Sequence, residues 1–115
     1  MKNNFTIEDV KEHWDSVAHI YNHCNDKSTN PHHWRFIEGI KHIDKDSKPK
    51  NVLSIVSRTG DAIPHIYSKL PNARIFNFEF SQKMIDIAEY RFPKEKFYMC
   101  DLSTLELKDN SMDYI

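Results

Sequence analysis

The chain has 115 residues, enough for one small domain with a core of its own but not for two. Sixteen Lys and Arg against seventeen Asp and Glu leave a formal charge of −1, which excludes a whole-domain field that would draw in nucleic acid or an anionic membrane, although seven histidines make the chain mildly cationic in acid. No apolar run approaches ~20 residues, so no membrane span is expected, and with no signal-peptide pattern ahead of Cys24 and Cys100 a reduced, cytoplasmic protein is the default.

Taken in order, Thr6 caps a helix expected from Ile7 to about His23. Its apolar positions Ile7, Val10, Trp14, Val17, Ala18 and Tyr21 follow the 3.6 period, and Asp9 is a short version of the capping-box acid. Cys24 falls at the end of this helix. Asn30-Pro31 restarts the chain as N-cap and first helical residue of a second helix, expected to reach about Ile43 and to bury Trp34, Ile37, Ile40 and Phe36. The basic, Pro-broken stretch Asp44 to Lys50 reads as a linker.

Val52 to Val56 is then a short β-branched run of the kind buried in a parallel sheet. After Gly60 a helix runs from Asp61 to Leu70 with Pro64 in its first turn, and Pro71-Asn72 ends it. Arg74 to Glu79 is a second strand. Ser81 caps a helix from Gln82 to Phe92 that buries Met84, Ile85, Ile87 and Ala88. Lys96 to Cys100 is a third strand, Asp101 to Asn110 a polar loop, and Ser111 to Ile115 the start of a fourth strand that the chain does not finish. Alternating strands and helices predict parallel pairing with right-handed crossovers.

Four stretches carry a family resemblance. Asn51 to Gly60 (NVLSIVSRTG) resembles the first strand and cofactor loop of class I S-adenosylmethionine-dependent methyltransferases, in which an acid is followed by three alternating glycines. Here the acid position is Ser54, the first two glycine positions are Val56 and Arg58, and Thr59 and Gly60 are kept. Glycines in such a turn allow φ > 0 and close approach of a ligand to the backbone, so Val56 and Arg58 weaken the cofactor loop. Asn77 to Ala88 resembles the family's second-strand motif, and Met99-Cys100-Asp101-Leu102 its third-strand end. At the front, Trp14 to Tyr21 resembles the lid helix of small-molecule methyltransferases of the ubiquinone and menaquinone C-methyltransferase type.

The resemblance implies an α/β, Rossmann-like three-layer fold with strand order 3-2-1-4. It would be a single partial domain, with a helical lid over residues 1–44 and a half-sheet over 51–115. It implies that Glu79 accepts hydrogen bonds from the ribose hydroxyls of S-adenosylmethionine, a task that suits an acceptor-only carboxylate. It also implies that Asp101 and Leu102 meet the adenine, that Gly60 shapes the loop and that Tyr21 closes over the methionine end. The resemblance covers only the amino-terminal half of such a domain, and a polypeptide ending at Ile115 is expected not to build both walls of a transfer site, which depends on positioning.

Other readings of these residues stand beside that one. Glu79 and Asp101 are also ordinary strand-end acids. Arg58 is a solvated loop residue, a bidentate anion ligand or a plug in the methionine pocket. His19 and His23 lie one turn apart near His32-His33, but face away from the apolar stripe and lack a completing Cys or acid, so no metal site is expected. Two functions remain open. One is a small-molecule methyltransferase-like protein, inactive as this chain alone. The other is a non-catalytic scaffold that forms a homodimer or joins a partner subunit through its open sheet edge.

Overall fold

Reciprocal capping starts the first helix: the Thr6 N–H donates to Asp9 Oδ2 at 2.9 Å and the Asp9 N–H to Thr6 Oγ1 at 3.1 Å. The computed structural model describes residues 6–23 and 31–115, and of residues 21–23, 31–33 and 102 the backbone alone. Helix α1 spans Ile7–His23 and α2 spans Pro31–Ile40. Strand β1 (Asn51–Ile55), helix α3 (Ile63–Lys69), strand β2 (Arg74–Glu79), helix α4 (Gln82–Arg91) and strand β3 (Lys96–Met99) follow, with a single 3-10 turn at Leu102–Thr104. Cys24 and the Asn30 cap lie outside the described residues.

The strands form one parallel sheet in the order β1-β2-β3, with Val52 opposite Ile75 and Phe78 opposite Tyr98. Two right-handed crossovers in one direction put α3 and α4 on the same face. There Val52, Ile63, Leu70, Ala73 and Ile75 form the buried core, with Phe92, Phe97 and Tyr114 packed around it. Ser81 caps α4 by accepting the Met84 N–H at 3.3 Å, which places Met84, Ile85 and Ala88 in the interior. On the other face Phe78 and Tyr98 stack at 5.2 Å, and Ile55 and Tyr98 stay exposed.

The order 1-2-3 is the 3-2-1 part of the expected 3-2-1-4, but the fourth strand does not form. Val52 and Tyr114 make one isolated parallel bridge, with the Leu53 N–H donating to the Tyr114 carbonyl at 2.9 Å. The second helix ends three residues earlier than expected, in a tight turn where the Ile43 N–H donates to the Ile40 carbonyl at 3.1 Å.

Its buried face also differs from expectation. Trp34 is 60% exposed and Ile37 is exposed, whereas Phe36, Ile40 and Ile43 are half-buried, and Phe36 stacks on His65 at 5.7 Å. At 3.6 residues per turn Phe36, Ile40 and, just past the helix end, Ile43 form one stripe, and Trp34 and Ile37 another centred about 120° away. Periodicity alone does not choose between them, and packing on α3 selects the first. Helix α1 packs on α4 and buries Ala18, while Ile7 and Val10 are exposed at its other end.

Candidate functional site

The turn that follows β1 takes the left-handed conformation at alternate residues: Val56 at φ 52°, Arg58 at φ 51° and Gly60 at φ 86°. For a residue with a Cβ this costs ~1–2 kcal/mol, and more for β-branched Val. Only Gly60 is built for the place, since a Cβ there would also lie 2.9 Å from the Phe92 ring.

Hydrogen bonds from three directions hold the strained turn. The Ser57 N–H donates to the Phe78 carbonyl at 3.1 Å and the Gly60 N–H to the Ser57 carbonyl at 2.9 Å. The Arg58 N–H donates to Glu79 Oε1 at 3.2 Å. From α4, Arg91 donates to the Thr59 carbonyl at 2.8 Å, to Thr59 Oγ1 at 3.1 Å and to Asp61 Oδ1 at 2.6 Å. Thr59 is fully buried and Asp61 nearly so, so Arg91 satisfies a carbonyl and a carboxylate with little access to water.

Glu79 ends β2 at the same carboxyl edge and is only 6% exposed. Besides Arg58, its carboxylate accepts the Phe80 N–H at 2.7 Å and the Ser81 N–H at 3.2 Å, both on Oε2. Of about four lone-pair positions these bonds use three, leaving one on Oε1. Glu79 faces a cavity of 140 Å³ lined also by Val10, Trp14, Val56, Arg58, Phe80 and Met84. A second cavity of 360 Å³ lies beside β1, lined by Arg35, Phe36, Ser54, Ile55, Ser57, Asp61 and Ala62, and again by Val56 and Arg58.

Helix α1 forms the roof of the smaller cavity through Val10 and Trp14, and one carboxylate hooks it down. Asp15 Oδ1 accepts the Ser81 hydroxyl at 2.5 Å and the Lys83 N–H at 3.4 Å, at the N-terminus of α4 where negative charge is favoured.

The sequence-predicted residues are thus only partly assembled. Glu79 and Gly60 share the turn. Asp101 follows the end of β3, one residue after Cys100, whose N–H donates to the Glu79 carbonyl at 3.0 Å. It lines neither cavity: its Oδ1 accepts the Ser103 N–H and hydroxyl, both at 2.9 Å. Leu102 opens the 3-10 turn, but its side chain and that of Tyr21 lie outside the described residues, as do those of His23, His32 and His33. Among the described residues no group of three His, Cys, Asp or Glu is placed to hold a metal, and no helix is long and apolar enough to cross a membrane. Sequence reasoning missed Asp15, Asp61 and Arg91. Arg91 had a faint signal, a cation in the last turn of a helix, which reads equally as a partner for the helix dipole.

Comparison with known proteins gives one consistent result. The family model described as "ubiE/COQ5 methyltransferase family" matches residues 2–115. A demethylmenaquinone methyltransferase of Thermotoga maritima is 30% identical over 82 residues, which cover 71% of this chain and 35% of that protein. Among solved structures, a complex of the Haloferax volcanii Trm112 methyltransferase activator with a methyltransferase matches at TM-score 0.65 and 19% identity, over 87% of this chain and 44% of that one. The Haemonchus contortus phosphoethanolamine N-methyltransferase 1, solved with phosphoethanolamine and S-adenosylhomocysteine, matches at TM-score 0.57 and 15% identity, over 95% of this chain and 25% of that one. Streptomyces venezuelae DesVI matches at TM-score 0.53 and 13% identity, over 84% and 38%. At these identities the structures speak for the fold alone. The chain spans 35% of the length of the curated relative.

Proposed function

As the chain belongs to the ubiE/COQ5 methyltransferase family, we propose that the crevice at the carboxyl ends of β1 to β3 is an S-adenosylmethionine-type nucleotide site serving a small-molecule methyl acceptor, and that this chain alone transfers no methyl group. The observation that carries the reading is Glu79. It is a buried carboxylate at the end of β2, held by three backbone N–H groups with one lone-pair position on Oε1 unused, and it lines a cavity.

That free position on Oε1 fits one ribose hydroxyl. Asp101 and the Leu102 N–H stand at the end of the neighbouring strand, where the adenine would lie once Asp101 releases Ser103. Gly60 keeps the turn tight, and Tyr21, on the helix whose Trp14 and Val10 roof the cavity, closes over the ligand. We take residues 1–44 as the lid and 51–115 as the half-sheet of one partial domain. When bound, S-adenosylmethionine supplies a methyl group on a cationic sulfur, electrophilic enough that no base on this chain is needed. The residues here bind and orient the nucleoside and exclude water from it. The name of the Thermotoga relative makes a demethylmenaquinone the acceptor class to assay. The cytoplasm remains the proposed compartment, in keeping with the free thiol of Cys100.

Calorimetric titration with S-adenosylhomocysteine tests the site. Saturable binding that Glu79→Gln abolishes, with a melting curve that shows the variant folded, supports it. No binding of either S-adenosylhomocysteine or adenosine by the folded wild-type chain refutes it.

A second reading rests on the sheet edge. On the edge of β1 away from β2, the described residues contribute only the bridge at Tyr114, and Ile55 and Val56 at the end of β1 are 45% and 52% exposed. An edge of this kind invites another chain, which supports a homodimer or a partner subunit as a scaffold function. The Haloferax neighbour is itself solved with a partner protein. A monomer by light scattering at high concentration would argue against this reading.

A further inference from the structure

We infer that Val56 and Arg58 make this site selective for nucleosides that end at the ribose 5′ carbon, by walling off the place where an amino-acid tail on that carbon would run. The inference rests on the nucleotide-site reading and adds the ligand class. Three observations carry it.

First, Val56 and Arg58 line both the 140 Å³ cavity at Glu79 and the 360 Å³ cavity beside β1, so they stand between the two. Second, both hold a left-handed backbone that a glycine would take without strain, and Val56 is 52% exposed. Val56 therefore stands out of the turn instead of packing in the core, and a strained backbone kept in place by its surroundings points to a role at a site. Third, the charges discriminate. Arg58 is a fixed cation, and the sulfonium of S-adenosylmethionine would meet it as a like charge, whereas adenosine, 5′-methylthioadenosine and the thioether of S-adenosylhomocysteine carry no charge at that atom.

The three features combine into an order of binding. A nucleoside meets Glu79 Oε1 with a ribose hydroxyl and stops at the wall. A homocysteine tail must pass Val56 and Arg58 to reach the larger cavity, and a sulfonium must also pass the guanidinium.

The test is calorimetric titration of the wild-type chain and of the Val56→Gly/Arg58→Gly variant with 5′-methylthioadenosine, S-adenosylhomocysteine and S-adenosylmethionine. Wild type should bind 5′-methylthioadenosine about tenfold tighter than S-adenosylhomocysteine, a difference of about 1.4 kcal/mol, with S-adenosylmethionine weaker still. The double variant should bring the first two within about threefold. Arg58→Ala alone, which leaves the rest of the turn unaltered, should relieve the penalty on S-adenosylmethionine more than that on S-adenosylhomocysteine. Equal wild-type affinities for all three ligands, or an unchanged ratio in the glycine variant, would overturn the wall while leaving the nucleotide site standing. Failure of both folded proteins to bind any of the three would overturn the nucleotide-site reading and the wall with it.

Discussion

Removing Arg91 should unfasten the turn that shapes the crevice. Arg91→Met keeps the apolar stem beside Phe92, whose ring centre lies 5.0 Å from the guanidinium carbon, and deletes the charge. It leaves Asp61, whose side chain is 8% exposed, without its cation, and strips the Thr59 carbonyl and hydroxyl of their donor. Breaking a buried pair from one side costs about 3–5 kcal/mol. Because the Arg91 side chain keeps 18% of its exposure, water offsets part of the loss and the lower end, about 3 kcal/mol, applies here. For a domain of this size that corresponds to a drop of roughly 10–15 °C in melting temperature. Urea unfolding followed by circular dichroism measures it, with Asp61→Ala and the double variant completing a cycle. The double variant should cost less than the sum of the singles by at least about 1 kcal/mol, because once the carboxylate is gone no buried charge is stranded. A single-variant cost below about 1 kcal/mol, or strict additivity, would refute the view that this pair holds the turn.

Other consequences follow from the same contacts. Val56→Gly should raise stability by about 0.5–1 kcal/mol, since relief of ~1–2 kcal/mol of left-handed strain exceeds the extra unfolded-chain entropy of glycine, and a lower urea midpoint would contradict this. Gly60→Ala should do the opposite by about 2 kcal/mol or more, because φ 86° and a Phe92 ring carbon 2.9 Å from the new Cβ penalise it together. Asp15→Ala should lower amide-exchange protection in α1 while leaving β2 unchanged, since Asp15 ties α1 to Ser81 and Lys83; equal protection would show that apolar packing alone holds this helix. Burial, with the hydrogen bond from the Tyr67 hydroxyl to Glu95 at 2.6 Å, pushes the Tyr67 pKa well above the ordinary phenol value. The folded form then keeps a proton that the unfolded chain releases near pH ~10, so this stabilisation is complete below that pH and lost as pH rises beyond it. Thermal melts between pH 8 and 11 should show a shallower alkaline decline for Tyr67→Phe than for wild type.

The sheet and its helices were legible because their signals are local. Ser81 caps α4 and the β-branched run before Val56 makes a strand, while the glycine frame around Gly60 located the turn that holds three left-handed residues. The frame also marked Val56 and Arg58 as positions needing φ > 0, which they adopt despite their side chains. The choice of face on α2 was not legible, since Phe36-Ile40 and Trp34-Ile37 satisfy the same period and only contact with α3 separates them. Asp15 and Arg91 were not legible either. Their partners lie 66 and about 30 residues away, and no spacing rule links an acid in one helix to the cap of another. Asp101 was found by position, but the structure turns its carboxylate onto Ser103 instead of the crevice, a local competition that Asp followed by Ser two residues later invites.

The central claim is that Glu79 presents a carboxylate to a nucleoside, and the amides bonded to it report directly on that. In a ¹⁵N-labelled sample titrated with adenosine, the Arg58, Phe80 and Ser81 amide resonances should shift together and saturate with one dissociation constant. Movement of those three ahead of amides in α3 would bear the account out. Unmoved Arg58, Phe80 and Ser81 amides at a ligand concentration that saturates shifts elsewhere, or no saturable shift at all, would contradict it.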